Sequence, residues 1–154
     1  MNNLTFVLSG LPISVNCSTI VRWGRKINSK DMNHYKKHSK EAILTYFSTL
    51  NEEELNNFIM SLKEKELHLS LTFGSSWYTK KGKIKKQDSS NLLKSVEDTL
   101  IESLNCWSKD KELDIELDDR QIFTHTLHKI EVSEEITIIT LEVINGNKEV
   151  KEII

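Results

Sequence analysis

Apolar and polar positions alternate most cleanly in LHLSLTF, residues 67–73. Leu67, Leu69, Leu71 and Phe73 fall on one side, with His68, Ser70 and Thr72 on the other. That period of two marks a half-buried strand. LTFVLS (4–9) repeats the pattern with Leu4, Phe6 and Leu8. Two further β-rich runs, RQIFTHTLHKIEV and EITIITLEVI, meet at Ser-Glu-Glu. Helical spacing appears between these strands. From Asp31 to Leu50, residues Tyr35, His38, Ala42, Leu44 and Phe47 roughly follow it, with Asp31 as the expected cap. A short helix is expected over 52–63 and a third over 89–105. In the third, 100° per residue gathers Leu92, Leu93, Val96, Leu100 and Leu104 in one arc, which must be buried. Asn91, Lys94, Ser95, Asp98 and Glu102 fall opposite. Ser89 or Ser90 serves as N-cap, and Asp88 precedes it where the helix dipole favours an anion.

The intervening segments read as irregular. Pro12 breaks GLPISVN, 17–30 is irregular or short-stranded, and 74–87 is a loop or loose hairpin. Asn145-Gly146 opens a tail with a turn signal. The expectation is one α+β domain over 1–144, a mixed or mostly antiparallel sheet packed with helices, followed by the tail 145–154.

A length of 154 residues suits one domain with a usable core. The formal net charge of −2 argues against a uniformly basic nucleic-acid coat. The charge is nevertheless uneven. Arg22, Arg25, Lys26, Lys30, Lys36 and Lys37 crowd the first third, and Lys80, Lys81, Lys83, Lys85 and Lys86 the middle. Acid dominates from Asp110 to Asp119. Cys17 and Cys106 match no zinc spacing and make no disulfide scaffold, which fits a reducing compartment. The first residues lack the basic region of a signal peptide, and no apolar run is long enough to cross a bilayer. A cytoplasmic protein with no membrane partner is therefore expected.

The polar arc of the third helix carries the chemistry. Asn91, Lys94 and Asp98 are spaced by three and four and are neighbours on one face. One reading is a Lys94–Asp98 surface pair. The other takes account of the basic run before the helix and of LDDRQI (117–122), where Asp118 and Asp119 stand side by side. Adjacent carboxylates repel unless a cation or water separates them. Carboxylates at a helix start, within a helix and before a strand can converge on a hard cation such as Mg²⁺. Such an ion generates hydroxide and stabilises phosphate charge, and a lysine beside it neutralises the transition state or orients water.

These residues resemble the RusA family of Holliday junction resolvases, small phage- and prophage-associated endonucleases of DNA recombination and repair. The family pattern is Asp, commonly a second Asp two residues on, then Asn, Lys and Asp at helical spacing, followed by Asp-Asp-x-Gln-hydrophobic. Here it reads Asp88, Ser90, Asn91, Lys94 and Asp98, then Asp118-Asp119-Arg120-Gln121-Ile122. LSGLPISVN adds a weaker match to the family's first strand. The resemblance implies a homodimer that binds branched DNA at four-way junctions and nicks strands symmetrically with Mg²⁺ or Mn²⁺. It implies that Asp88 and Asp119 bind metal, that Lys94 is the catalytic lysine, and that Asp118, Asp98 and Asn91 ligate or support. Ser90 departs from the pattern, since serine is a neutral, weaker ligand than the expected aspartate. The acidic connector 108–117 is also long for the family. Asp114 or Glu116 replaces the absent carboxylate, the insertion serves another partner, or the connector is a solvated acidic loop.

A junction presents many phosphates, for which Arg22, Arg25, Lys26, Lys81, Lys83, Lys85 and Lys86 are the expected contacts. Trp77 and Tyr78 either stack on opened bases or pack at a sheet end. Trp23 is a core candidate. Cys106 and Trp107 are expected to plug the core. His125 and His128, three apart in a strand, point to opposite faces and share no metal. His34 and His38 have helical spacing without the glutamate of a metalloprotease motif, and no nucleophile elbow occurs. A second function class stays open: a relative weakened at Ser90 that binds DNA or an unidentified protein partner without cutting.

Overall fold

The computed structural model describes residues 1–14, 19–22 and 24–144. The tail 145–154, Cys17 and Trp23 lie outside the described residues. Among the described residues six strands and three α-helices follow one another as β1 (Asn3–Ser9), β2 (Thr19–Arg22), β3 (Arg25–Asn28), α1 (Lys30–Thr49), α2 (Glu52–Ser61), β4 (Leu67–Ser75), α3 (Ser90–Asp110), β5 (Ile122–Glu131) and β6 (Ile136–Val143). The main sheet has the order β1-β6-β4-β5. It is mixed: β6 pairs antiparallel with both β1 and β4, while β4 and β5 run parallel. The expected α+β class is what the chain adopts. β2 and β3 form a separate antiparallel hairpin.

Period-two alternation decides which face of the sheet is covered. Leu4, Phe6, Leu8, Leu67, Leu69, Leu71, Phe73, Ile139 and Leu141 are buried, and they share one core with Ile43, Phe47, Leu55, Ile59, Leu92, Val96, Leu100, Leu104 and Trp107 from the helices. Burial of each large side chain contributes roughly 1.5–3 kcal/mol, so this shared layer fixes the positions of the helices.

The helix ends show where local chemistry overrode the expected caps. Ser29, not Asp31, caps α1, its Oγ accepting from the Met32 amide at 3.1 Å. Asn51 caps α2 by accepting from the Glu54 amide at 3.0 Å. At α3 neither expected serine caps by side chain: Ser89 occupies the N-cap position in helical conformation without such a bond. The Asp88 carbonyl instead accepts from the Asn91 amide at 3.1 Å.

α3 also runs to Asp110, beyond the expected end at 105. Ser95 was placed on the polar arc but is buried, its Oγ donating to the Ile13 carbonyl at 3.0 Å. The connector after α3 is more than a solvated acidic loop. Leu113 and Ile115 pack against the core and Leu117 is buried within it, leaving Glu112, Asp114 and Glu116 exposed.

Candidate functional site

Two segments far apart in the chain meet beside the mixed sheet. The first is α3, which presents Lys94 and Asp98 on its solvent side. The second is a single 3-10 turn, Asp119–Gln121, that leads into β5. Its position follows from a set of local hydrogen bonds. Asp118 caps the turn, and Gln121 Oε1 accepts from the Asp118 amide at 3.0 Å. Gln121 Nε2 then donates to the carbonyls of Leu62 at 2.9 Å and Lys65 at 3.2 Å, tying the turn to the end of α2. Upstream, Asn105 holds Leu117 from both sides: its Nδ2 donates to the Leu117 carbonyl at 2.8 Å, and its Oδ1 accepts from the Leu117 amide at 2.7 Å. The Asp-Asp-x-Gln sequence is thus a positioning device for Asp119.

Lys94 Nζ lies 2.9 Å from Asp98 Oδ1 and 2.9 Å from Asp119 Oδ2. The hydrogen bond to Asp119, then that to Asp98, holds the ammonium well above the usual lysine pKa, so Lys94 is fully charged at neutral pH. Asp118 faces a different partner. Arg120 grips it through Nε and its backbone amide on Oδ1, at 2.9 and 2.8 Å, and through Nη2 on Oδ2 at 2.9 Å. That side-chain hydrogen bonding keeps the Asp118 carboxyl far below its ordinary range.

Glu97 and His125 were overlooked as a pair in the sequence. Glu97 is only 8% exposed, and its Oε1 stands 3.5 Å from His125 Nε2. Burial raises its pKa, opposed by His125 and by the nearby charge of Lys94. The strand register explains the contact: His125 pairs with Leu69 and therefore shares the helix-facing side of the sheet. On the 100° helical wheel Glu97 falls between Leu104 and Ile101, both buried, and that was the available signal. His128 pairs with Thr72 on the opposite face, as expected.

The remaining expected site residues are placed as follows. Asp88 stands two residues before α3 with its side chain exposed, and its carboxylate makes no hydrogen bond or ion pair among the described residues. Ser90 is exposed at the helix start and Asn91 is half-buried one turn before Lys94. Lys81, Lys83, Lys85 and Lys86 are exposed between β4 and α3. Arg22, Arg25 and Lys26 belong to the β2–β3 hairpin. Trp77 is sheet-end packing: it is 6% exposed, and Nε1 donates to the carbonyls of Phe73 and Ile130 at 3.2 and 2.9 Å. This removes it as a base-stacking platform. His34 and His38 lie side by side with ring centroids 4.1 Å apart and their planes tilted by 50°. Trp107 is in the core as expected, while Cys106 is only half-buried.

Mg²⁺ commonly takes one or two protein carboxylates and keeps several waters. Asp98 and Asp119, already gathered about one cation, suit that chemistry. Among the described residues, no three His, Cys, Asp or Glu side chains form a group able to hold a metal. An open depression of about 630 Å³ adjoins the pair, lined by Asp98, Asp119, Lys40, Glu102, Cys106 and Lys109. Among the described residues, no helix is long and apolar enough to cross a membrane. No family model matches the chain, and no curated protein matches it.

Proposed function

We propose that the chain is a metal-dependent, structure-selective DNA endonuclease that hydrolyses phosphodiesters in branched DNA such as four-way junctions. The observation that carries this reading is the double contact of Lys94, 2.9 Å from each of two carboxylates supplied by separate segments. A surface ion pair within one helix is worth only a few tenths of a kcal/mol. Such a pair does not account for a turn braced by Asn105, Asp118 and Gln121 to deliver a second carboxylate to the same ammonium. The resemblance of Asp88 to Asp98 and of Asp118 to Ile122 to the RusA pattern supplies the substrate class, and with it the expectation of a homodimer.

In this reading Asp98 and Asp119 would hold a Mg²⁺ or Mn²⁺ ion, and Asp88, two residues before α3, would be the further carboxylate that the RusA pattern assigns. When bound, the ion supplies Lewis acidity at a phosphate oxygen and an activated water. Lys94 places a fixed positive charge beside the phosphate, where negative charge develops in the transition state. Asp119 and Asp98 keep that ammonium oriented. Asp118, occupied by Arg120, acts through the turn it caps. The exposed lysines between β4 and α3 hold the sugar-phosphate chain by replacing its counterions.

The test is nicking of a synthetic four-way junction against plain duplex, with and without Mg²⁺. Metal-dependent nicking of the junction alone is expected, and its absence under all divalent ions tried overturns the reading. A binding-only protein is the second reading, favoured by the neutral Ser90 and by the engagement of Asp118 with Arg120. Calorimetric titration with Mn²⁺ separates the two. The nuclease reading expects a saturable site lost in Asp119→Asn, whereas the binding-only reading expects none.

A further inference from the structure

The segment between β4 and α3 is more ordered than a solubilising loop requires. Tyr78 and Ile84 face each other in an antiparallel bridge. The Lys85 amide donates to the Trp77 carbonyl at 2.8 Å, and the Thr79 amide donates to the Lys83 carbonyl at 2.7 Å. A tight turn closes the tip, where the Gly82 amide donates to the Thr79 carbonyl at 2.9 Å. Gly82 adopts φ +76°, a conformation that glycine takes without strain.

The base of this finger is anchored. Buried Trp77 receives Lys129 Nζ 4.6 Å from its ring centroid, and its amide donates to Glu131 Oε2 at 2.7 Å. Lys129 also donates to the Gln87 carbonyl on the returning strand. A rigid root thus carries an exposed tip.

Two features of the exposed part are opposed in character. Lys80, Lys81, Lys83, Lys85 and Lys86 are all exposed, and none forms an ion pair among the described residues. Between them stand two large apolar side chains, Tyr78 at 51% and Ile84 at 70% exposure. Directly opposed residues in an antiparallel bridge place their side chains on one side. Lysines alone would keep a loop in solution. An aromatic and an aliphatic group paired at one register position call for a partner that offers negative charge and flat apolar surface together. Phosphates and unstacked base faces meet both requirements. An intact duplex offers the first and hides the second.

We propose that residues 77–86 form a finger that grips nucleic-acid phosphates with its lysines and sets Tyr78 and Ile84 against unstacked bases, selecting DNA whose stacking is interrupted. The choice of DNA rests on the nuclease reading above. The finger itself acts in binding and precedes any cleavage.

The experiment uses the full chain in EDTA. Fluorescence anisotropy measures binding to a four-way junction carrying 2-aminopurine at the crossover, to the matching duplex, and to phosphatidylserine-rich vesicles, over a series of salt concentrations. The parent is expected to prefer the junction and to brighten 2-aminopurine. The triple variant Lys80→Ala, Lys81→Ala, Lys83→Ala should bind both DNAs more weakly, with the slope of log K against log salt reduced by about two to three. The double variant Tyr78→Ala, Ile84→Ala should keep the slope but lose the brightening and about tenfold of its junction preference. Because both residues are exposed, its thermal midpoint should match the parent's. A Tyr78→Phe variant that still brightens 2-aminopurine assigns the contact to the ring. A double variant that prefers and unstacks the junction like the parent overturns the proposal, as does binding to vesicles without binding to DNA. A parent that unstacks the junction yet never nicks it in Mg²⁺ sinks the nuclease reading and leaves the finger standing. A parent that nicks, with a double variant indistinguishable from it, sinks the finger alone.

Discussion

Lys94 owes its position to two carboxylates that reached it by different routes. Asp98 arrives by helical spacing and Asp119 by tertiary contact. If the proposed chemistry holds, Lys94→Ala and Asp119→Asn should each abolish junction nicking while changing junction affinity in EDTA by no more than about twofold. Gel-resolved nicking beside anisotropy checks this, and persistent cutting in both variants rejects the site. Asn105 tests how the turn is held. Asn105→Ala removes both side-chain bonds to Leu117, leaving part-buried backbone groups without them at a cost of about 1–3 kcal/mol. Urea denaturation should show that loss, and nicking should weaken along with it. The Lys94–Asp98 neighbourhood was legible from spacing alone. The arrival of Asp119 was legible only through the adjacent carboxylates of LDDRQI and the resemblance, since no local periodicity reports a contact across that many residues. Glu97 escaped because its charge outweighed its place on the wheel, although the buried flank beside it was visible in the sequence.

At the scale of elements, strands and helices followed from their hydrophobic periods, and the misjudgements concerned ends and flanks. α3 was expected to stop at 105, yet Trp107 packs edge-on against Phe47 with centroids 5.8 Å apart. That tertiary contact draws out another turn of helix. Ser95, Thr99 and Ser103 are buried although polar: the segment at Ile13 covers Ser95, and α1 packs against α3, where Lys40 reaches Glu102 at 3.2 Å. Each of the last two satisfies its hydroxyl on the carbonyl four residues back, at 2.7 Å. Small polar residues are therefore buried here, a role that composition cannot distinguish from solvent exposure. α1 carries a prediction of its own. Burial pushes the Tyr35 phenol up to about 12, only partly offset by Ser39. The unfolded phenol ionises near 10 while the folded one stays neutral, so stability is full below pH 10 and falls as pH rises toward 12. The loss at the upper end is about 2–3 kcal/mol for this group. Denaturation midpoints at pH 9 and 11 should show a steeper decline in the parent than in Tyr35→Phe.

For the whole molecule, α+β class and a mixed or antiparallel sheet could be expected from the order of β-rich and helical runs. The strand order could not, because alternation says which face is buried and nothing about which strand is the neighbour. β6 illustrates the gap: it stands between β1 and β4, and β1 pairs with no other strand of the main sheet. A chain ended after Glu131 would leave Leu4, Phe6 and Leu8 without the strand that holds them against the helices. Such a truncation should lack a cooperative thermal transition by circular dichroism and should be digested rapidly by protease. The same placement sets a schedule for biosynthesis. Of the described strands β1 is made before the others, and it must wait for nearly the whole described chain before the partner that joins it to the sheet has been made. Until then its apolar side chains are available to chaperones, and a stalled nascent chain would be recognised by that unclaimed edge.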